Sequence, residues 1–217
     1  MITEYAANIS HWADWQQVYR FGVLLIFPPE PLLTQVNTLR SQHDPQSQAT
    51  CDAHISLTIP LPRALDFVQW RELVSIAAAI PSFPIHYGAL MNYLPHPGVC
   101  LAIQPQDALN RLRIALESAS VFAGAPARSY PFSAHITIAE FITVEQTVAL
   151  MDELQPVAPT GVFVCTQVAY AVPDANFHFT ARWHLELAHP LGRITGYDQT
   201  IITKPLVGHP HAHGPRI

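Results

Sequence analysis

Apolar and polar positions change period several times along this chain, and each change predicts an element. Ser10 as N-cap opens a helix expected to reach Tyr19, and the continuous apolar run from Gly22 to Phe27 predicts a strand ended by Pro28, Pro29 and Pro31. A helical stretch follows to about Ser41. After it come a polar loop, HDPQSQATCD, and a short alternating segment from His54 to Ile59 with strand character, stopped by Pro60 and Pro62. Asp66 caps a helix through about Ala79, and Pro81 and Pro84 lead into a strand from Ile85 to Leu94.

The second half runs through the same order. Val99 to Ile103 reads as a strand and Pro105 to Ser120 as a helix opened by proline. FPPEPLL from Phe27 aligns with IQPQDAL from Ile103, an offset of 76 residues, and the strand His135 to Ala139 matches His54 to Thr58 at an offset of 81. Thr143 caps a helix to about Leu154 as Asp66 does in the first half, and Val162 to Val172 takes the part of Ile85 to Leu94. Such a repeat predicts two lobes related by a pseudo-twofold axis, with a cleft at their junction. Asn176 to Ala188 sets Phe177, Phe179, Ala181, Trp183 and Leu185 against His178, Thr180, Arg182, His184 and Glu186, the pattern of a half-buried strand.

Composition narrows the setting. With 217 residues, 49% hydrophobic, the chain can bury one or two modest cores, and the reading is an α+β fold of antiparallel sheets with helices outside. The bilobal domain is expected at 22–188, after an N-terminal helical extension at 1–21 and before a tail at 189–217 whose end, HPHAHGPRI, reads as disordered. Charged residues are only 12% and the formal net charge is -5, which argues against an extended nucleic-acid surface. Cys51, Cys100 and Cys165 are far apart, odd in number and without a CxxC pair, so a reducing cytoplasm fits best. The apolar run Val23 to Phe27 is far short of the roughly 20 residues a bilayer needs, and no basic-then-apolar leader precedes it, so no membrane partner is expected.

Candidate chemistry lies in the repeated strands. In HISLT, alternation puts His54, Ser56 and Thr58 on one face with Ile55 and Leu57 on the other; in HITIA, His135, Thr137 and Ala139 share a face while Ile136 and Ile138 point to the core. The repeat thus delivers an imidazole and a hydroxyl twice, in equivalent places. A lone histidine on a strand is more often structural, and a chain with 12 histidines also holds His178 and Thr180 in a third HxT with no partner at the repeat offset.

The two paired motifs resemble the signature of the 2H phosphoesterase superfamily, which includes 2′-5′ RNA ligase-like proteins and cyclic nucleotide phosphodiesterases. The resemblance runs from about Gly22 to Ala188 in strand order, duplicated lobes and both motifs. It implies hydrolysis of a cyclic phosphodiester, such as a 2′,3′-cyclic phosphate of a nucleotide or RNA end, by a monomer without metal or other cofactor. His54 and His135 would be the acid-base pair, with neither role assigned, and Ser56 and Thr137 would bind phosphate. Low-efficiency reverse 2′-5′ ligation, a metal-dependent phosphoesterase and a nonenzymatic nucleotide-binding module are the alternatives.

Arg128, Tyr130 and Phe132, just before the second motif, are further candidates for substrate contact: a guanidinium can meet phosphate and a ring can stack on a base. Tyr87 and Tyr93 share a face by their even separation. Glu140 stands where the family tends to carry a basic residue, which favours a small substrate over a long RNA, and Arg63 is a surface candidate to compensate. His209, His211 and His213 have the spacing of some metal tracts but no accompanying carboxylate or cysteine.

Overall fold

The computed structural model describes residues 4–93 and 97–189. In chain order the elements are α1 (Asp14–Gln17), β1 (Val23–Ile26), α2 (Leu32–His43), α3 (Pro45–Thr50), β2 (Ile55–Ser56), α4 (Phe67–Ala78), β3 (Phe83–Asn92), β4 (Gly98–Gln104), α5 (Gln106–Glu117), β5 (His135–Glu140), α6 (Val144–Leu154), β6 (Gly161–Cys165), β7 (Gln167–Pro173) and β8 (Phe179–Glu186). The helix starts predicted at Asp66 and Thr143 are both complete capping boxes: each side chain accepts from the backbone N–H three residues on, and Gln69 or Gln146 reaches back. The fold is α+β. Among the described residues no helix is long and apolar enough to cross a membrane.

The eight strands form one sheet in the order β6-β3-β4-β5-β2-β1-β7-β8, and every pairing is antiparallel. The two expected lobes are therefore halves of a continuous sheet, joined where β2 meets β5. Each repeat lends its third strand to the other half, because β3 pairs with β4 and β7 pairs with β1. The sequence reading of Val162 to Val172 as one strand is corrected here. It divides at Thr166, so that β6 lies beside β3 at one edge of the sheet while β7 lies beside β1 in the other half.

One face of the sheet carries the main core, where Leu24, Ile55, Leu101 and Ile136 meet Val36 of α2, Leu73 of α4 and Leu112 of α5. On the other face Val23, Leu25 and Ala171 are covered by Tyr19, Phe27 and Phe179, so β1 is buried on both sides. That explains its unbroken apolar run. Tyr19 brings the N-terminal segment into this cover, and Trp12 anchors that segment: its Nε1 donates to the Ala175 carbonyl at 2.9 Å and its ring packs on Phe177.

Several boundaries differ from the sequence reading. The first helix is only Asp14–Gln17, starting at Ala13 rather than Ser10. Part of the polar loop is helical, since Pro45 suits a first helical position and the Asp44 carboxylate accepts from Ser47 N–H. The first motif strand is cut to Ile55–Ser56 because Leu57 and Thr58 both donate to the Leu24 carbonyl, a bulge that turns Thr58 inward to bond Leu24 N–H. β8 is an edge strand, exposed along most of its length in place of the expected alternation. The end of the strand expected at Leu94 and the tail at 190–217, with His209, His211 and His213, lie outside the described residues.

Ile136 is fully buried at the join of the two half-sheets. Ile136→Ala should lower unfolding free energy by about 2–5 kcal/mol, read from the urea midpoint at unchanged slope.

Candidate active site

The pairing of Ile55 with Ile136 organises the site. These residues are equivalent in the repeat and stand directly opposite each other, so the local twofold passes between them. Both side chains are buried in the core, which turns their neighbours to the other face. Extending the antiparallel register sets His54 across from Thr137 and Ser56 across from His135. The two imidazoles then occupy a diagonal, for which side-chain origins lie roughly 7–8 Å apart, a span that one tetrahedral phosphate can bridge.

Both rings are oriented in the same way. His54 Nδ1 donates to the Asp52 carbonyl at 2.7 Å, and His135 Nδ1 donates to the Ser133 carbonyl at 2.7 Å. A carbonyl only accepts, so Nδ1 carries the proton in the neutral ring and Nε2 is left for chemistry. The intervening alanines are held too: Ala53 N–H donates to Asn37 Oδ1 and Ala134 N–H to Gln106 Oε1, each at 2.8 Å. Asn37 is on α2 and Gln106 on α5, the equivalent helices of the two halves, although their positions within those helices differ.

Electrostatics separate the two histidines. Burial lowers the His54 pKa to about 4, against the Asp52 hydrogen bond that favours the charged ring, and the charges of Arg40 and His135 lower it further. His135 is also lowered by burial, opposed by its bond to Ser133. It has a different neighbour: the Tyr93 ring stacks on it at 4.0 Å between centroids and 33° between planes. His54 meets Phe27 edge to face at 6.2 Å.

Arg40, only 3% exposed, is the site residue that motif reading missed. Its guanidinium donates to the Thr137 carbonyl at 2.9 Å and to the Cys51 carbonyl at 3.0 Å, tying α2 to the second motif and to the approach of the first. Burial pulls its pKa below the usual range, opposed by the nearby Cys51, Asp44, Glu140 and Asp52. A signal was available: Leu32, Val36 and Arg40 are the buried positions of α2, at i, i+4 and i+8, so the arginine lies on the helix's apolar stripe. Asn37 and Gln106 carry no comparable signal.

The remaining candidates take varied places. Arg128 donates to the Leu57 carbonyl, next to Ser56, and pairs with Glu117, both at 3.1 Å. The guanidiniums of Arg113 and Arg128 lie 5.4 and 5.5 Å from the centre of the Phe132 ring, while Tyr130 is exposed. Arg63 bonds the Ala123 carbonyl. Tyr87 and Tyr93 do not share a face: a register shift after Tyr87 leaves Tyr87 and Leu90 both against the core and sends Tyr93 into the cleft. His178 pairs with Asp174 beyond β7, away from the motifs. Beside Thr137 opens a cavity of about 300 Å3, lined by Trp15, Tyr93, Gly98, Cys100, Thr137, Ala139, Glu140 and Phe141. Burial raises the Cys100 pKa to about 12, so its thiol stays neutral and donates weakly to Thr137 Oγ1 at 3.9 Å. Among the described residues no group of three or more His, Cys, Asp or Glu is placed to hold a metal ion.

Comparison with known proteins agrees with this fold. The structure of TT0787 from Thermus thermophilus is similar over 77% of this chain and 97% of its own, with a TM-score of 0.53 at 15% identity. LigT from E. coli complexed with 3′-AMP is similar over 76% and 96%, with a TM-score of 0.52 at 18% identity, and LigT complexed with NADP+ gives a TM-score of 0.50 at 19% over the same shares. At such identities these likenesses speak for the fold. No curated protein sequence matches the chain. The family model described as the 2′-5′ RNA ligase superfamily matches residues 28–176, more than half of the chain and both motifs, and the protein belongs to that superfamily, among the 2H phosphoesterases.

Proposed function

We propose that this protein hydrolyses the cyclic phosphodiester of a small 2′,3′-cyclic nucleotide or RNA end, with His54 as general base and His135 as general acid. The observation that carries the reading is the diagonal pair of imidazoles, each with Nδ1 bonded to a backbone carbonyl and each facing a motif hydroxyl. Membership of an enzymatic superfamily supports the class of chemistry; the substrate and the roles are our inference.

Hydrolysis needs a proton taken from water on one side of phosphorus and a proton given to the departing ribose oxygen on the other. His54 is suited to the first task because its depressed pKa keeps it neutral near pH 7, with the Nε2 lone pair available. Its Nε2 removes a proton as water oxygen bonds to phosphorus. The bond from phosphorus to one ring oxygen breaks, and His135 Nε2–H protonates that oxygen to give an alcohol and a phosphomonoester. The face of Tyr93 favours the imidazolium form of His135 through its quadrupole. Ser56 and Thr137 donate to nonbridging oxygens as charge builds, and the buried guanidinium of Arg40 adds a fixed positive field beneath them. Arg128 adds positive charge beside Ser56 through its hold on Leu57.

His54→Ala and His135→Ala should each cut kcat by about 10²–10⁴-fold on a nucleoside 2′,3′-cyclic phosphate, measured in EDTA. Thr137→Val should cost up to about 10²–10³-fold in kcat with a smaller change in KM. Wild-type rates in either histidine variant exclude the reading.

The pH profile separates the roles. Since kcat/KM reports the free protein, activity should fall below about pH 4 as His54 gains a proton, and fall again on the alkaline side through a His135 pKa that burial holds below 6.5. Arg40→Met removes a charge that depresses His54, so the acid limb should move to higher pH and by more than the alkaline limb. Movement of the alkaline limb instead would reverse the assignment.

A further inference from the structure

The cavity beside Thr137 holds aromatic side chains that neither the core nor the acid-base pair accounts for. Trp15 is 58% exposed and Phe141 80% exposed, yet both face the same space together with Tyr93. Phe141 does so from a left-handed backbone, φ 58°, which is strained for a bulky side chain. Trp15 is fixed rather than loose: its ring meets Phe177 edge to face at 5.4 Å, and its neighbour Trp12 is bonded to the Ala175 carbonyl. Phe177 belongs to the turn between β7 and β8, in the opposite half of the sheet from Thr137. One wall of the cavity, Trp15, thus comes from a segment that precedes residues 28–176 matched by the family.

On the reading that the histidine pair acts on a cyclic phosphate, we propose that this cavity takes the nucleobase of the substrate and that Trp15 stacks on it, making the N-terminal segment part of the substrate site. The volume of about 300 Å3 is at the lower end for small-molecule sites, suited to one base rather than a chain of nucleotides. Placement agrees. A strand advances about 3.3 Å per residue, so Ala139 lies roughly 7 Å along β5 from the phosphate contact at Thr137, the kind of separation a ribose imposes between its phosphate and its base. Tyr93 links the two subsites, since it stacks on His135 and also lines the cavity. Stacking uses the π-face that every base offers, so the preference is for a base over none and not for one base over another.

The test compares adenosine 2′,3′-cyclic phosphate with methyl ribofuranoside 2′,3′-cyclic phosphate, which keeps the sugar and lacks the base. In Trp15→Ala the ratio of kcat/KM between the two should fall by about 5- to 100-fold, mostly through KM, while Trp15→Phe keeps most of the preference. An unchanged ratio in Trp15→Ala, with an unaltered thermal midpoint, overturns the proposal. If the unaltered protein turns over neither compound, the hydrolytic reading has failed on its own, and stacking is read by titrating adenosine 2′-monophosphate against tryptophan fluorescence. Quenching that disappears in Trp15→Phe supports the base site, and quenching of equal size in that variant, or none in the unaltered protein, overturns it. The same titration decides the matter should Trp15→Ala fail to fold.

Discussion

The pairing of Ile55 with Ile136 is the constraint on which the rest depends. β2 is two residues long, so very little ladder joins the two half-sheets. A slip of one residue would exchange the faces, exposing an isoleucine and driving an imidazole into the core. Burial of both isoleucines opposes that slip from each side at once. Arg40 reinforces it by bonding the carbonyls of Thr137 and Cys51, so that α2 holds the second motif and the approach to the first in one geometry. The chemical groups owe their positions to this register, since none of the four is needed to build the core.

The site's charge is likewise local. The formal net charge is -5, yet the motif strands have a buried cation beside them, the Arg40 guanidinium bonded to the Thr137 carbonyl. Burying that cation is costly, as the downward shift of its pKa indicates, and its two carbonyl partners together with surrounding acidic groups offset part of the cost. Overall charge bears on long-range association, while a cleft is governed by the few groups that line it.

Much of this was legible in the sequence. The capping residues Asp66 and Thr143 and the alternation through His135–Ala139 and His54–Ser56 are local signals, and each survives in the structure because local chemistry decides it. What was not legible depends on pairing between distant segments. Nothing near Thr166 tells the chain to leave one edge of the sheet and join the opposite half, so β6 and β7 read as one strand. The bulges that bury Thr58 and turn Tyr93 toward the cleft depend on partner strands, and simple parity therefore failed at both. The α3 helix was masked by polar composition, although Asp44 followed by Pro45 is a start signal in its own right.

Duplication explains why the motifs alone could not assign roles to the histidines. Two equivalent strands supply two equivalent rings, whereas acid-base chemistry requires one ring to hold a proton and the other to lack it. The difference must come from outside the repeated strands. At the offset that aligns Phe27 with Ile103, Arg40 corresponds to Leu116, a fully buried leucine, so the first half carries a cation where the second carries a hydrocarbon. That cation is one of the charges that lower the His54 pKa. On the other side Tyr93 stacks on His135, whereas Phe27 presents only an edge contact to His54. Burial lowers both imidazoles, and these departures from symmetry give the two rings different surroundings. On the proposed roles, one residue of a packed helix and one aromatic ring are what give a symmetric scaffold its direction.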